Sequence, residues 1–372
     1  MTYESLLFKV FESMDRPMDG SELINSTLHS HSINLEDSLK KLSSEFTEEC
    51  NRRAWSEVFG WGPLETLVDD CNVKEIIVNG PDEIFYETET QLLTFNEKFF
   101  STITHSNFIH RISQKCGVHL SRSTPMMSGT YKDFRVQFTA PPISAKVTLT
   151  LRRKNQKVIP LDSLVTGEWC LPDQMQILES AILDKKNFLI VGETGSGKTT
   201  VLNALLSLTK PTERSVIIED TDEILSPNSA SLKLLTRENP LEPQNTIHQG
   251  DLVRHTLRLR PDRIIVGEVR GAEARDLLLA MSTGHDGTLG TLHSSSAKQA
   301  LWRLEMLIQL GAPQWSVETI RRMIFLGLDL IVVVEKKNTK RRLKGIYELS
   351  SVEPQGITLN DLSRLSPGNT HL

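Results

Sequence analysis

The sequence predicts an α/β protein whose larger, C-terminal part contains a mainly parallel β-sheet. From about residue 172 onward, segments with helical periodicity alternate with short apolar runs, an order typical of βαβ units. One of these runs leads directly into a glycine-rich loop, which a helical segment follows. The apolar runs predicted as strands are 188–191, 216–218, 264–266 and 330–334.

Length and composition fit a reduced globular protein. The chain has 372 residues, which at roughly 150 residues per domain predicts about two and a half domains. Its net charge of −5 lacks the overall basic character of a nucleic-acid binder, so we expect no direct contact with nucleic acid. The 4 cysteines form no CxxC pair, which disfavours a zinc knuckle. A chain of this length can bury its own core, which disfavours a disulfide framework.

No segment is predicted to span a membrane. The most apolar stretch, residues 323–334, is 12 residues long and contains Asp329, whereas a spanning helix needs about 20 predominantly apolar residues. The N-terminus lacks the basic region and the long apolar core of a signal peptide. We therefore expect a cytoplasmic protein.

Four regions follow one another along the chain, with boundaries where the pattern changes. Short amphipathic segments come first, then a mixture of strands and helix, then a segment with Pro160 and no aromatic anchor, and last the strand–helix alternation. The predicted regions are a helical extension at 1–45, an α+β domain at 46–153, a linker at 154–171 and the parallel-sheet domain at 172–372.

The two N-terminal regions carry structural signals and no chemical motif. In the extension, Leu6, Leu7, Val10 and Phe11 would share one helical face, and a second helix could begin after Gly20. In the α+β domain we predict a helical stretch at 61–64, strands at 73–78 and 84–87 joined by a turn at 79–80, a helix across 101–116, and strands at 135–138 and 146–151.

The most specific motif is GETGSGKTT, which fits GxxxxGK[ST] without mismatch. Its glycines let successive N–H groups point at phosphate oxygens, and the following helix N-terminus adds a partial positive charge. Lys198 would reach the β- and γ-phosphates, and the Thr199 hydroxyl would ligate Mg²⁺. The predicted nucleotide-binding residues are Gly192, Glu193, Thr194, Gly195, Ser196, Gly197, Lys198, Thr199 and Thr200.

Acidic residues follow two of the predicted strands, at the end where open α/β sheets bind ligands. Glu219 or Asp220 could face the γ-phosphate, or both could belong to a solvated acidic turn. Glu268, after Gly267, could hold a Mg²⁺-bound water, with Arg270 bracing it, or could be a surface acid after a core strand.

A third segment, GHDGTLGTLH, places His285 and His293 at either side of glycines and threonines. This composition suits a loop that contacts a phosphate, and His293 could donate to a γ-phosphate oxygen. The alternative is that each histidine is an ordinary structural residue.

Together, GETGSGKTT, RSVIIEDTDE, LRLRPDRIIVGEVRG and TGHDGTLGTLHSSS resemble the four motif boxes of the type II/IV secretion ATPases, and most closely the CpaF/TadA branch that drives Tad/Flp pilus assembly. GWGPLETLVDDCNVKEIIVNGPDEIF and ETIRRMIFLGLDLIVVV extend the similarity to about residues 58–350. The resemblance implies a RecA-like P-loop NTPase domain after a PAS-like α+β domain. It further implies a hexameric ring that binds ATP and Mg²⁺ between the two domains.

The same resemblance implies roles for individual residues. Lys198 and Thr199 match the Walker A pair, Glu219 the general base, and Glu268 the Walker B glutamate and second Mg²⁺ ligand. His293 matches the His-box histidine, and Arg135 and Arg152 match N-terminal-domain arginines that approach the γ-phosphate, where they would stabilise charge in the transition state. The chain departs from the family pattern at 123–130, where an arginine is absent, and lacks the CxxC module of type II relatives.

The function implied is a cytoplasmic motor, peripherally associated with the inner membrane, that powers pilus assembly or protein secretion through a platform protein. Two alternatives stay open: a type IV secretion or conjugation ATPase, and a nucleotide-gated scaffold with little hydrolysis. The one dense basic run, residues 336–344, predicts a solvated hairpin, with contact to a membrane surface as the alternative.

Overall fold

The computed structural model describes residues 2–12, 36–37, 39–41, 43–154, 158–237, 245–338 and 340–364. The chain divides into two compact units, Met1–Lys154 and Asn155–Leu372. Each unit has its own sheet.

The first unit begins with a helix that is packed into it. Helix α1 buries Leu6 and Leu7 completely, in a cluster with Leu39 and with Ala54 of the next long helix. The residues directly after Gly20, where a second helix is predicted to begin, lie outside the described ranges, whereas residues 36–37 and 39–41 of the same extension are helical. The helices of this unit with fully described bounds are α1 (Tyr3–Glu12), α2 (Glu48–Phe59), α3 (Glu65–Asp69) and α4 (Thr102–Lys115), with 3₁₀ turns at Ser43–Glu45 and Gly62–Leu64.

An antiparallel sheet in the order β3-β2-β1-β6-β5-β4 forms the rest of the first unit. Alternate residues of β5, Phe134, Val136 and Phe138, are buried in one cluster with Phe108 of α4, so the helix covers one face of the sheet. The strands are β1 (Glu75–Val78), β2 (Ile84–Glu87), β3 (Leu92–Thr94), β4 (Met126–Tyr131), β5 (Phe134–Thr139) and β6 (Thr148–Arg153). The sequence did not predict β3 and β4.

The region predicted as a linker, 154–171, is partly folded. Helix α5 spans Leu161–Thr166, and Pro160 is its N-cap, where the missing N–H of proline costs no helical hydrogen bond. Leu164, Trp169 and Cys170 are buried in a core cluster of the second unit.

The second unit contains a parallel sheet in the order β12-β7-β11-β10-β8-β9, which two antiparallel strands extend as β14-β13-β12. The α/β class predicted from the alternation is confirmed. The strands are β7 (Phe188–Gly192), β8 (Ser215–Glu219), β9 (Leu232–Leu235), β10 (Arg263–Val266), β11 (Leu289–His293), β12 (Leu330–Lys337), β13 (Lys340–Glu353) and β14 (Gly356–Asp361).

Helices cover both faces of this sheet. Phe188 and Ile190 of β7 pack into a cluster with α6 and α7, while Leu189 and Val191 of the same strand pack into a cluster with α8 to α11. Burial on both faces explains why these strands are continuous apolar runs. The helices are α6 (Pro172–Leu183), α7 (Lys198–Leu206), α8 (Gln249–Thr256), α9 (Glu273–Ser282), α10 (Ala297–Gly311) and α11 (Val317–Gly327).

Among the described residues, no helix has both the length and the apolar character needed to cross a bilayer. The most apolar stretch of the sequence, 323–334, is divided between the end of α11 and the start of β12.

Candidate functional site

The candidate site lies at the carboxyl edge of the parallel sheet, where the predicted motifs converge. Gly192 ends β7 and pairs with His293, which ends β11. Glu268 follows the end of the adjacent strand β10, and Glu219 ends β8, the next strand along. Parallel pairing therefore brings together residues that are up to about a hundred positions apart in the sequence.

The glycine-rich loop has a backbone conformation that suits an anion. Gly195 and Gly197 have φ angles of +73° and +94°, in the left-handed region that favours glycine. Inside the loop the Ser196 N–H donates to the Glu193 carbonyl over 3.2 Å. The Ser196 hydroxyl is fully buried and has no hydrogen-bond partner within the described part of the chain. A buried hydroxyl in such a loop, before a helix N-terminus, fits a polyphosphate.

Lys198, the first residue of α7, lies over the loop. Its ammonium donates to the carbonyls of Gly192 at 3.0 Å and Glu193 at 3.1 Å. Burial lowers the pKa of this ammonium, and Arg270 lowers it further, while Glu268 opposes both. The residue thus places a cation beside the backbone that would hold the phosphates.

Glu268 is held between two basic side chains. Arg270 donates to its Oε2, and His293 Nε2 lies 2.8 Å from its Oε1. Burial favours the protonated form, but Arg270, His293 and Lys198 together outweigh it and bring the pKa of Glu268 below its ordinary value. The carboxylate therefore stays ionised, as a metal ligand must.

The histidine segment differs from the prediction of a phosphate-contacting loop. Residues Leu289–His293 form the buried strand β11, and His285 precedes that strand at its other end. The two histidines thus lie at opposite edges of the sheet, and only His293 joins the site. Burial, and then Lys198, lower the pKa of His293, while Glu268 opposes them.

Glu219 and Asp220 have separate environments. The Glu219 side chain is 3% exposed, and its Oε2 accepts from the backbone N–H groups of Glu223 at 3.0 Å and Ile224 at 2.9 Å. Its Oε1 has no partner among the residues described. Burial raises the pKa of Glu219 to about 7. Asp220 is exposed, accepts from the Thr236 hydroxyl at 3.0 Å and lies 3.6 Å from Arg270.

The predicted arginines belong to the first unit. Arg135 of β5 pairs directly opposite Arg152 of β6, and Glu75 of β1 lies opposite Arg152 on its other side. Burial raises the pKa of Glu75, an effect that Arg152 opposes. The three side chains share the sheet face that points away from α4, since their neighbours in each strand point toward it.

The basic run forms the predicted hairpin, since Lys336 pairs with Arg341 and Lys337 with Lys340. Sequence reasoning missed that Arg341 contacts the phosphate loop: its Nε donates to the Gly195 carbonyl over 3.0 Å. No motif spacing could have revealed this contact, because the partners are 146 positions apart.

In the part of the chain that the structure describes, no group of three or more His, Cys, Asp or Glu could hold a metal. A magnesium site beside a phosphate loop does not need such a group, because Mg²⁺ keeps several waters and binds substrate phosphates. Thr199, in the first turn of α7, and the ionised Glu268 are the residues that fit this chemistry.

Comparison with known proteins gives one family. Residues 57–333 match the family described as type II/IV secretion system protein. The conjugal transfer protein TrbB of Rhizobium radiobacter is 38% identical over 291 residues, which cover 77% of this chain and 86% of TrbB. The type IV secretion system protein PtlH of Bordetella pertussis is 30% identical over 307 residues, which cover 74% of this chain and 90% of PtlH.

Solved structures support the same fold. The Legionella pneumophila ATPase DotB superposes with a TM-score of 0.56 at 23% identity, covering 79% of this chain and 80% of DotB. The pilus retraction motor PilT with bound ADP gives 0.55 at 19% identity, covering 80% of this chain and 81% of PilT. The predicted RecA-like architecture is confirmed at the level of fold.

We predict that Lys198→Ala weakens nucleotide binding by about ten- to a hundredfold, because a charge-assisted contact to phosphate contributes about 1.5–3 kcal/mol. Titration with a fluorescent ATP analogue measures the effect. Lys210→Ala, which removes an exposed lysine of the same unit, is the matched control and should bind as the wild type does. Unchanged affinity in Lys198→Ala would refute the phosphate-loop assignment.

Glu219 should make the free energy of unfolding depend on pH. Its pKa rises from 4.5 to about 7 on folding, so the unfolded chain loses this proton first, and stability falls as pH rises through that window. Glu219→Gln cannot ionise and keeps an acceptor oxygen. The free energy of unfolding of Glu219→Gln, taken relative to that of the wild type, should therefore increase by up to about 3 kcal/mol as the pH rises from 4 to 8.

Urea denaturation at a series of pH values measures this difference. Glu193→Gln, which changes an exposed carboxylate, should show no such gain. Parallel stability curves for the wild type and Glu219→Gln would contradict the raised pKa.

Proposed function

Because the chain belongs to the type II/IV secretion system protein family, we propose that it is an ATP-hydrolysing motor of a membrane secretion or pilus-assembly machine. One observation carries the proposal. At a single sheet edge, a phosphate loop with its lysine meets one carboxylate with a lowered pKa and another with a raised pKa. Nucleotide binding alone does not require two carboxylates with such different proton affinities.

The two carboxylates suit different tasks in phosphoryl transfer. Glu268 stays anionic, so with Thr199 it would hold Mg²⁺, which when bound neutralises charge on the phosphates. Glu219 has a pKa close to neutral, and a general base works best when its pKa is near the operating pH. In the proposal Glu219 accepts the proton of the attacking water through its Oε1, which has no hydrogen-bond partner among the described residues. His293 positions Glu268 through their 2.8 Å contact.

Arg135 and Arg152 are proposed to approach the γ-phosphate. Support comes from their match to family arginines and from their position side by side on one sheet face. Two guanidinium groups there can stabilise the charge that spreads over the γ-oxygens in the transition state. In a hexameric ring, arginines of a neighbouring subunit can supply this charge.

We propose a homo-hexamer that works at the inner membrane through a platform protein, as the family resemblance implies. A type IV secretion or conjugation system is a second candidate, which the names of TrbB and PtlH favour. The CpaF/TadA branch stays a prediction.

Steady-state phosphate release from the purified assembly tests the proposal. Absence of turnover in the wild type would favour a nucleotide-gated scaffold. We predict that Glu268→Gln keeps nucleotide binding and slows turnover by at least about a hundredfold, because it removes charge and preserves shape. Glu318→Gln, on the exposed side of α11, is the control and should turn over normally. Normal turnover in Glu268→Gln would move the essential role to Glu219.

Mixed rings test whether the arginines act between subunits. Arg135→Ala and Lys198→Ala rings should each be inactive alone. If a site combines the loop of one subunit with the arginine of the next, random mixing at equal amounts should restore about a quarter of wild-type turnover. Mixtures that stay inactive would assign Arg135 to its own subunit or to a structural role.

A further inference from the structure

The β12–β13 hairpin extends beside the phosphate loop. Strand β12 pairs in parallel with β7, and Val333 lies opposite Val191 near the end of β7. Strand β12 then continues for four more residues, to Lys337. At about 3.3 Å per residue, these residues carry the hairpin about 13 Å past that level, along the flank of the loop.

One residue of the hairpin contacts the loop directly. The Arg341 Nε–H donates to the Gly195 carbonyl over 3.0 Å. The Arg341 Cδ lies 3.2 Å from the position that a Cβ on Gly197 would occupy. The side chain thus lies along the loop from Gly195 to Gly197, with a hydrogen bond to Gly195 and its Cδ in the space that a side chain at 197 would need.

This contact constrains the backbone that would bind phosphate. The peptide between Gly195 and Ser196 is planar, so its carbonyl and its N–H point in opposite directions. Fixing the carbonyl toward Arg341 also fixes the Ser196 N–H, which donates to the Glu193 carbonyl inside the loop. Glycines at 195 and 197 make the loop conformationally permissive, so an external constraint has a large effect on it.

The neighbouring basic residues have other partners. Arg342 pairs with Glu335 at 2.6 Å, and Lys340 pairs with Glu168 at 3.3 Å. Lys344 lies at a β-bulge, where an extra residue redirects a side chain, and its ammonium donates to the Ser295 carbonyl over 3.2 Å. The hairpin therefore contacts the phosphate loop and also the segment that follows His293.

We propose that Arg341 is a positioning residue for nucleotide binding, which holds the Gly195–Ser196 peptide and, with it, the loop conformation that the hydrogen bond from Ser196 N–H to the Glu193 carbonyl closes. The proposal rests on the proposed function, since it requires that the loop bind ATP. Arg341 acts from the outer side of the loop through the backbone that would hold phosphates common to ATP and ADP. Loss of the Arg341 side chain should reduce the affinity for ATP and for ADP by the same factor and should not change the rate of the chemical step. This combination is typical of an interaction that binds ground state and transition state equally.

The test compares Arg341→Ala, Arg341→Lys and Arg342→Ala. In Arg341→Ala we expect the Kd values for ATP and for ADP to rise together by about tenfold, with kcat within about twofold of the wild type. Arg341→Lys keeps the charge and a donor but not the planar fork, so it should recover part of the affinity. Arg342→Ala removes an adjacent arginine of the same hairpin and should match the wild type.

Three results would overturn the proposal: wild-type affinity in Arg341→Ala, an equal loss in Arg342→Ala, or a fall in kcat without a change in Kd. Thermal unfolding of the variants shows whether the fold is intact, and partial recovery in Arg341→Lys separates positioning from a general loss of stability. If Arg341 has no positioning role, the ATPase assignment is unaffected, because nucleotide binding by Lys198→Ala and turnover by the wild type test that assignment independently.

Discussion

Parallel pairing of β7, β11, β10 and β8 is the constraint on which the site depends. Each strand buries both faces, so a slip of one residue would exchange side chains between two helix-covered clusters. The register is therefore fixed by packing on both sides, and with it the level at which each strand ends. Because all four strands end at one edge, the loop after Gly192, His293, Glu268 and Glu219 become neighbours.

The two glutamates at this edge are largely buried, and burial disfavours the ionised form of each. Nearby cations offset this effect at Glu268 but not at Glu219. Glu268 has Arg270 and His293 as partners, so its ionised form is stabilised despite burial. Glu219 has only backbone donors at one oxygen and none at the other within the ranges described, so burial dominates. Two glutamates of one sheet edge thereby acquire opposite pKa shifts, a pattern typical of sites that need one acid–base group and one permanent charge.

The parts of the fold that the sequence could predict are those with a strong local signal. Strands β7, β8, β10 and β12 are continuous apolar segments in the sequence because both of their faces are buried. The phosphate loop is predictable because its glycines and lysine have a specific spacing. The sequence predicts a loop in place of strand β11, because the segment contains Gly290 and Thr291. Its glycine is explained by packing instead, since a Cβ there would lie 3.1 Å from a Leu189 methyl group. The burial of Trp169 in the predicted linker was likewise not predictable, because its packing partners lie in elements that are distant in the sequence.

The strand order also separates charges of opposite sign around the loop. On one side of β7, strand β12 leads into the hairpin with Arg341 and Lys344. On the other side, beyond β11, strands β10 and β8 end at Glu268 and Glu219. A polyphosphate at the end of β7 would have cations on its first flank and carboxylates on its second. Arg270 already pairs with Glu268 on the second flank, so the carboxylate there is partly neutralised. A bound Mg²⁺ would offset the repulsion that remains between Glu268 and a polyphosphate.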